Sequence, residues 1–268
     1  MSQLSEPNEL RPVLRQDIDG AIAVLRLDRP GRLNAIGSDT IALLHRALDG
    51  VEADRRVRAV VVTGEGRAFS AGADITELDR METAHDFARF VRSLSECFGR
   101  LARLPLPSIA AVEGIAFGGG FELAMACDLC VAGESARFAV PEIRLGLLPA
   151  ATGTQRLARL LPAAVAKNLL MTGEPLAASD ARRWGLVNRL APAGGALDAA
   201  LDMARRLAAA PPLALAAAKR LVDEGAELPF DTAVGLERDA VALLFATADR
   251  QEGVTAFLEK RSPEFTGS

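Results

Sequence analysis

Three consecutive glycines, Gly118-Gly119-Gly120, with Glu122 two residues further on, form the strongest local signal in the sequence. Adjacent glycines cost backbone entropy, so they mark a place where another group approaches the main chain closely. They sit between an apolar run and a helix-like stretch. At a helix N-terminus, unpaired N–H groups and the macrodipole favour negative charge. Such a turn can hold an anion already present or one that develops during a reaction. The same residues also fit a tight turn with close helix–strand packing. A second small-residue turn, Phe69-Ser70-Ala71-Gly72-Ala73-Asp74, offers free N–H groups too, although such a stretch on its own is more often an ordinary polar turn.

Two carboxylates stand in apolar surroundings. Glu122 is flanked by Phe121, Leu123, Ala124 and Met125, and Glu142 follows Pro141 after Phe138-Ala139-Val140. A carboxyl group in such a setting has a raised pKa, which suits general acid–base work. Glu113 and Asp128 carry the same chemistry on paper, so sequence position does not rank the four. Each of Glu122 and Glu142, taken alone, also fits a solvated or ion-paired carboxylate.

Other chemistries find little support. Gly114 to Gly119 is followed by Gly120 and Phe121, not by the Lys-Ser/Thr of a phosphate loop. No Gly-x-Gly-x-x-Gly with a downstream acid marks a dinucleotide site. The two histidines, His45 and His85, fall on or beside expected helices, and no Gly-x-Ser-x-Gly elbow accompanies them, which argues against a hydrolase triad. Cys127-Asp128-Leu129-Cys130 has Cys-x-x-Cys spacing but no second Cys or His pair, and lies at the edge of an apolar run. A structural role is expected for it, and no metal site.

The elements that must carry these residues alternate. Ile22–Leu27, Arg58–Thr63, Pro107–Val112 and Leu129–Ala132 read as short strands. The continuously apolar Ala59-Val60-Val61-Val62 fits a strand buried on both faces. Between the strands, Ile41, Leu44, Leu48 and Val51 mark one helix after Ser38, and Phe87, Phe90, Val91, Leu94, Phe98 and Leu101 mark another. Phe121 to Ala126 reads as a third. Strands alternating with helices predict an α/β architecture with largely parallel pairing. From about Asp198 the pattern is helical only, over 199–209, 213–223, 232–247 and 251–260. Residues 1–12 read as a loose arm.

The chain has 268 residues, half of them hydrophobic and a quarter charged, with a net charge of -4. That is a globular composition, and the dispersed Lys and Arg leave no nucleic-acid footprint. There is no secretory start and no apolar run long enough for a membrane span. With three cysteines and no disulfide framework, a cytoplasmic location is expected.

Taken in order, these segments resemble the crotonase, or enoyl-CoA hydratase/isomerase, superfamily over nearly the whole chain. The resemblance rests on Arg29-Pro30-Gly31-Arg32-Leu33-Asn34-Ala35, then on Gly66 to Ile75, then on Ile109 to Asp128 with its Gly-Gly-Gly-x-Glu-Leu-Ala core. Phe138-Ala139-Val140-Pro141-Glu142, Gly153-Thr154-Gln155-Arg156-Leu157 and Glu252 to Arg261 complete it. It implies a spiral of ββα units in residues 1–197 and a C-terminal helical trimerisation region in 198–268, with assembly as a homotrimer or dimer of trimers. It further implies that the N–H groups of Ala71 and Gly119 form an oxyanion hole for a thioester oxygen. Glu122 would act as base and Glu142 as acid on one water, hydrating a trans-2-enoyl-CoA to a 3-hydroxyacyl-CoA, as in fatty-acid beta-oxidation. Arg32, Ala73, Asp74, Ile75, Phe257 and Lys260 would bind coenzyme A, which arrives with the substrate, so no separate cofactor is expected.

One departure stands beside the second glutamate. Where family hydratases read Pro-Gly-x-Gly-Gly-Thr-Gln, this chain has Pro149-Ala150-Ala151-Thr152-Gly153-Thr154-Gln155. Ala150 still offers a backbone N–H for the catalytic water, but it and Thr152 restrict φ relative to Gly. Two alternatives stay open: another crotonase reaction, such as Δ3–Δ2 enoyl-CoA isomerisation, and a non-catalytic acyl-CoA-binding protein.

Overall fold

The computed structural model describes residues 14–268, so the arm expected over 1–12 lies outside the described residues. The described residues open with an antiparallel pair, β1 (Leu14–Asp19) and β2 (Ile22–Leu27). A 3-10 turn at Pro30–Arg32 leads to α1 (Ser38–Ala53), β3 (Ala59–Gly64), α2 (Ile75–Leu78) and α3 (Ala84–Ala102). Next come β4 (Ser108–Val112), β5 (Ile115–Phe117), α4 (Gly119–Ala126), β6 (Leu129–Gly133) and β7 (Arg137–Ala139). A second 3-10 turn, Pro141–Leu145, precedes α5 (Gly153–Leu160), α6 (Ala163–Thr172), β8 (Leu176–Ala177), α7 (Ala178–Arg183) and β9 (Arg189–Ala191). Four helices follow: α8 (Ala196–Ala208), α9 (Pro212–Gly225), α10 (Phe230–Phe245) and α11 (Ala248–Glu259).

The main sheet runs β1-β2-β3-β4-β6-β9 and is parallel from β2 onward, while β5, β7 and β8 form a small second sheet. Strand β3 is buried on both faces because its alternate residues serve different layers. Val60 and Val62 join a core with α1, α3 and α4, whereas Ala59 and Val61 face α8. The helical stripes set the first layer: Ile41, Leu44, Leu48 and Val51 on α1, and Phe90, Leu94, Phe98 and Leu101 on α3, are buried. Thr83 caps α3 by accepting the Asp86 N–H at 3.1 Å.

The two-part division at 198 needs correction. That boundary falls inside α8, whose Ala199, Ala200 and Ala204 pack on β2, β3, β4 and β6. Small side chains let this helix approach the sheet closely, so it completes the α/β body. The helix-only region begins at α9, after Ala208. Its far end folds back, with Asp249 accepting the N–H groups of Thr266 and Gly267 and the Ala248 N–H reaching the Ser268 carbonyl at 2.8 Å. Phe230, Leu243, Phe245, Phe257 and Leu258 lie exposed on α10 and α11. Among the described residues no helix is long and apolar enough to cross a membrane.

Candidate active site

The end of β5 and the loop after β3 meet at the glycine cluster. Ser70 and Ala116 form a bridge, and the Phe117 N–H donates to the Ser70 carbonyl at 2.9 Å. The loops then touch through glycines. A methyl group placed on Gly72 would lie 2.8 Å from the Phe117 carbonyl oxygen and 3.3 Å from the Gly119 nitrogen, and one on Gly119 would lie 3.5 Å from the Ala73 nitrogen. Gly72 has φ +100°, a conformation that side-chain-bearing residues rarely adopt. Among the described residues neither the Ala73 N–H nor the Gly119 N–H has a hydrogen-bond partner. Two unengaged donors, one at the N-terminus of α4, thus lie close together where the two loops touch.

The expected pair was Ala71 and Gly119, and the structure corrects its first member. The Ala71 N–H already donates to the Leu33 carbonyl at 2.8 Å, so it is not available to a ligand. The free donor is two residues on, at Ala73.

Both glutamates lie on or against the segment that carries Gly119, Glu122 on α4 and Glu142 against Gly118. Glu122 sits on the first turn of α4 with 2 % of its surface exposed, and its Oε1 accepts the Gly153 N–H at 2.6 Å. Burial pushes its carboxyl up to about 7; the negative field of Glu142 adds to this, while hydrogen bonds from Gly153 and Ala151 and the charge of Arg156 oppose it. Glu142 lies against Gly118, where an added methyl would meet its Oε1 at 2.7 Å. Burial raises the Glu142 carboxyl too, and its buried Oε2 has no hydrogen-bond partner among the described residues. A buried acceptor left unpaired is costly unless the protein gains something by it, such as a place for a proton or a ligand. The other two acids are committed elsewhere. Glu113 accepts the Ala196 N–H that starts α8, and Asp128 accepts from Ser108 and from Lys219.

A family model described as Enoyl-CoA hydratase/isomerase matches residues 17–268. The chain belongs to the enoyl-CoA hydratase/isomerase family. The short-chain-enoyl-CoA hydratase of Clostridium acetobutylicum is 39% identical over 247 residues, 92% of this chain and 94% of that protein. The 2,3-dehydroadipyl-CoA hydratase of Escherichia coli is 39% identical over 92% of this chain and 95% of its own length. The solved enoyl-CoA hydratase of Bacillus anthracis superposes with a TM-score of 0.92 at 33% identity, covering 96% of this chain and all of that one.

Within this family member, the remaining expected residues fall into two groups. Arg32, Ala73, Asp74 and Ile75 gather at the start of α2. The Asp74 carboxylate caps α2 by accepting the Thr76 N–H at 3.1 Å and pairs with Arg29 at 3.2 Å and Arg32 at 3.4 Å. Burial pushes that carboxyl up, but the Thr76 bond and both guanidiniums outweigh it and hold it below the usual range. Asp74 is therefore engaged within the chain, by the α2 cap and by both guanidiniums. Ile75 is exposed on the first turn of α2. Phe257, 83 % exposed, and Lys260 lie at the end of α11 in the helix-only region. The Ala150 N–H has no partner among the described residues.

Reading the sequence of this hydratase/isomerase missed three contributors: Gly118, whose φ of +50° opens room for Glu142, and the N–H groups of Ala151 and Gly153 that hold Glu122. For Gly118 the glycine run was a signal. For the other two the only sign was the family turn itself. The Cys-x-x-Cys pair holds free thiols; Cys127 and Cys130 are both pushed up by burial, Cys130 to about 12, which suppresses the reactive thiolate.

Proposed function

We propose that the protein is an enoyl-CoA hydratase that adds water to a trans-2-enoyl-CoA and releases a 3-hydroxyacyl-CoA. The observation that carries this reading is the placement of two carboxyls, buried Glu122 and half-buried Glu142, both pushed up by burial, beside two unengaged backbone donors. The donors of Ala73 and Gly119 take the thioester oxygen as negative charge moves onto it, and donors aimed this way lower the barrier most when no reorganisation is needed. Glu122 removes a proton from water as the water oxygen bonds to the substrate β-carbon. Glu142 delivers a proton to the α-carbon, and the enolate collapses back to the thioester. The free N–H of Ala150 holds the water, and two mutually repelling carboxyls favour the singly protonated pair that this exchange requires. No further cofactor enters, since coenzyme A comes with the substrate. Arg32 and Ile75, with Phe257 and Lys260, bind the coenzyme A portion. The exposed apolar residues of α10 and α11 bury against further copies in a homotrimer or dimer of trimers, which sedimentation would register as three or six chains.

Purified protein mixed with crotonyl-CoA is expected to consume the conjugated thioester absorbance. A folded protein that binds coenzyme A yet turns over no enoyl chain length would sink the proposal. Migration of the double bond in a 3-enoyl-CoA without hydration would replace it with the isomerase reading. The pH profile follows from the roles. The base must be ionised, so kcat/KM should fall about tenfold per unit on the acid side of about 7, the value set by buried Glu122. The acid must be protonated, and burial of Glu142 extends activity on the alkaline side.

A further inference from the structure

We infer that Arg156, aimed by the hydroxyl of Thr152, is a positioning residue for Glu122. The inference rests on the catalytic reading of Glu122 above. It begins with a conformational anomaly at the turn where this chain departs from the family's glycines. Thr152 has φ +85° and ψ 1°, in the left-handed region. A β-branched residue there is an outlier that the surroundings must hold in place. Ala150, the other substituted position, is not left-handed, so the anomaly is confined to Thr152.

What holds Thr152 is the next turn of its own helix. Arg156 Nε donates to Thr152 Oγ1 at 2.9 Å, and Arg156 Nη1 donates to the Met125 carbonyl at 3.1 Å. Met125 lies in the last turn of α4, where carbonyls lack helical partners. One guanidinium therefore ties the end of the helix that bears Glu122 to the turn that receives Glu122. A glycine at 152 would reach the left-handed region more easily but would leave Arg156 Nε without this acceptor.

The left-handed residue also has a geometric product. A backbone that passes through this region turns successive N–H groups into a concavity for an anion. Here Gly153, just after Thr152, donates to Glu122 at 2.6 Å, and the Ala151 N–H on the other side lies close enough to favour the ionised carboxyl. The hydroxyl thus stabilises the backbone shape that cradles the carboxylate, while Arg156 supplies positive charge nearby.

The charged groups acting on Glu122 are Glu142, from the 3-10 turn, and Arg156, from α5, and they oppose one another. Arg156 itself faces Asp223 on α9, Asp128 and Cys127 just after α4, and Arg103 just after α3. Removing Arg156 or its aim takes away a cation that favours ionised Glu122, so the acid limb of activity moves to higher pH.

The test uses the full-length chain and three variants: Thr152→Gly, Thr152→Asn and Arg156→Gln. Thr152→Gly is expected to lower kcat about tenfold, the scale of one lost charged hydrogen bond, with KM little changed and the acid limb moved upward. Asn tolerates the left-handed region and offers an acceptor, so Thr152→Asn is expected to recover most of the rate. Arg156→Gln should match Thr152→Gly in direction, and if it fails to fold the two Thr152 variants still decide. A role in backbone shape alone predicts the opposite: relieved strain in Thr152→Gly, with wild-type kcat and an unmoved limb, and that result overturns the inference. A readout without turnover separates this outcome from failure of the hydratase reading. The stability difference between each background and its Glu122→Gln partner, followed against pH, reports ionisation of Glu122 directly. A window unchanged by Thr152→Gly overturns the inference even if no enoyl-CoA is ever hydrated.

Discussion

Glu122→Gln is expected to abolish most hydration and, at alkaline pH, to make the protein more stable. The loss follows from the role proposed for the carboxylate as base, since a positioned general base contributes about 10²–10⁴-fold. The amide keeps an oxygen to accept the Gly153 N–H, so the fold and coenzyme A binding should persist. The stability gain follows from burial. The folded carboxyl stands at about 7 against an ordinary 4.5, so its contribution is fully present below 4.5 and is lost as pH rises through about 7. The span corresponds to on the order of 3 kcal/mol. Urea unfolding of both proteins from pH 4 to 9 should show the wild type falling relative to the variant across that window. Parallel curves would mean that Glu122 is not held in its protonated form by the fold.

A comparable loss is expected from Gly118→Ala, by a different route. Gly118 has φ +50° and ψ -126°, a region that residues with a β-carbon avoid, and its added methyl would stand 2.7 Å from Glu142 Oε1. The backbone strain alone costs about 1–3 kcal/mol. Relieving it moves the adjoining Gly119 N–H, and relieving the contact moves the acid. Disturbing one donor of this kind costs about 10²–10³ in rate, and displacement of Glu142 adds to that. Crotonyl-CoA turnover together with thermal unfolding checks it. A variant that loses stability but keeps its rate would show that the turn does not have to hold both groups in register.

Much of this arrangement was legible in the sequence, and the failures have physical reasons. The buried strands β3 and β4 and the helices α1 and α3 announce themselves through apolar runs and stripes. The three-residue strands β5, β7 and β9 do not, because no periodicity can be read from so few residues. The glycine run at Gly118–Gly120 marked the site, but small-residue turns do not say which N–H points inward. The positive φ of Gly72 breaks the alternation of an extended chain, which is why the free donor is Ala73 and not Ala71. Helical spacing located α8 within a few residues, yet could not tell that its alanines pack on the sheet. The commitments of Glu113 and Asp128, which leave Glu122 and Glu142 for chemistry, depend on contacts distant in sequence.

The segment around Leu33–Ile36 is sewn to the donor loop at several points. Leu33 accepts from Ala71, Asn34 from Ser70 Oγ at 2.8 Å, and Ile36 both donates to Gly72 at 2.8 Å and accepts from Asp74 at 2.9 Å. Arg32, one residue before, is tied to Asp74 as well. The grip proposed for the nucleotide end of the substrate and the cradle proposed for its thioester therefore belong to a single stiff gauge. Binding energy gathered far from the reacting carbons is then converted into registration of those carbons, and so into rate rather than mere retention.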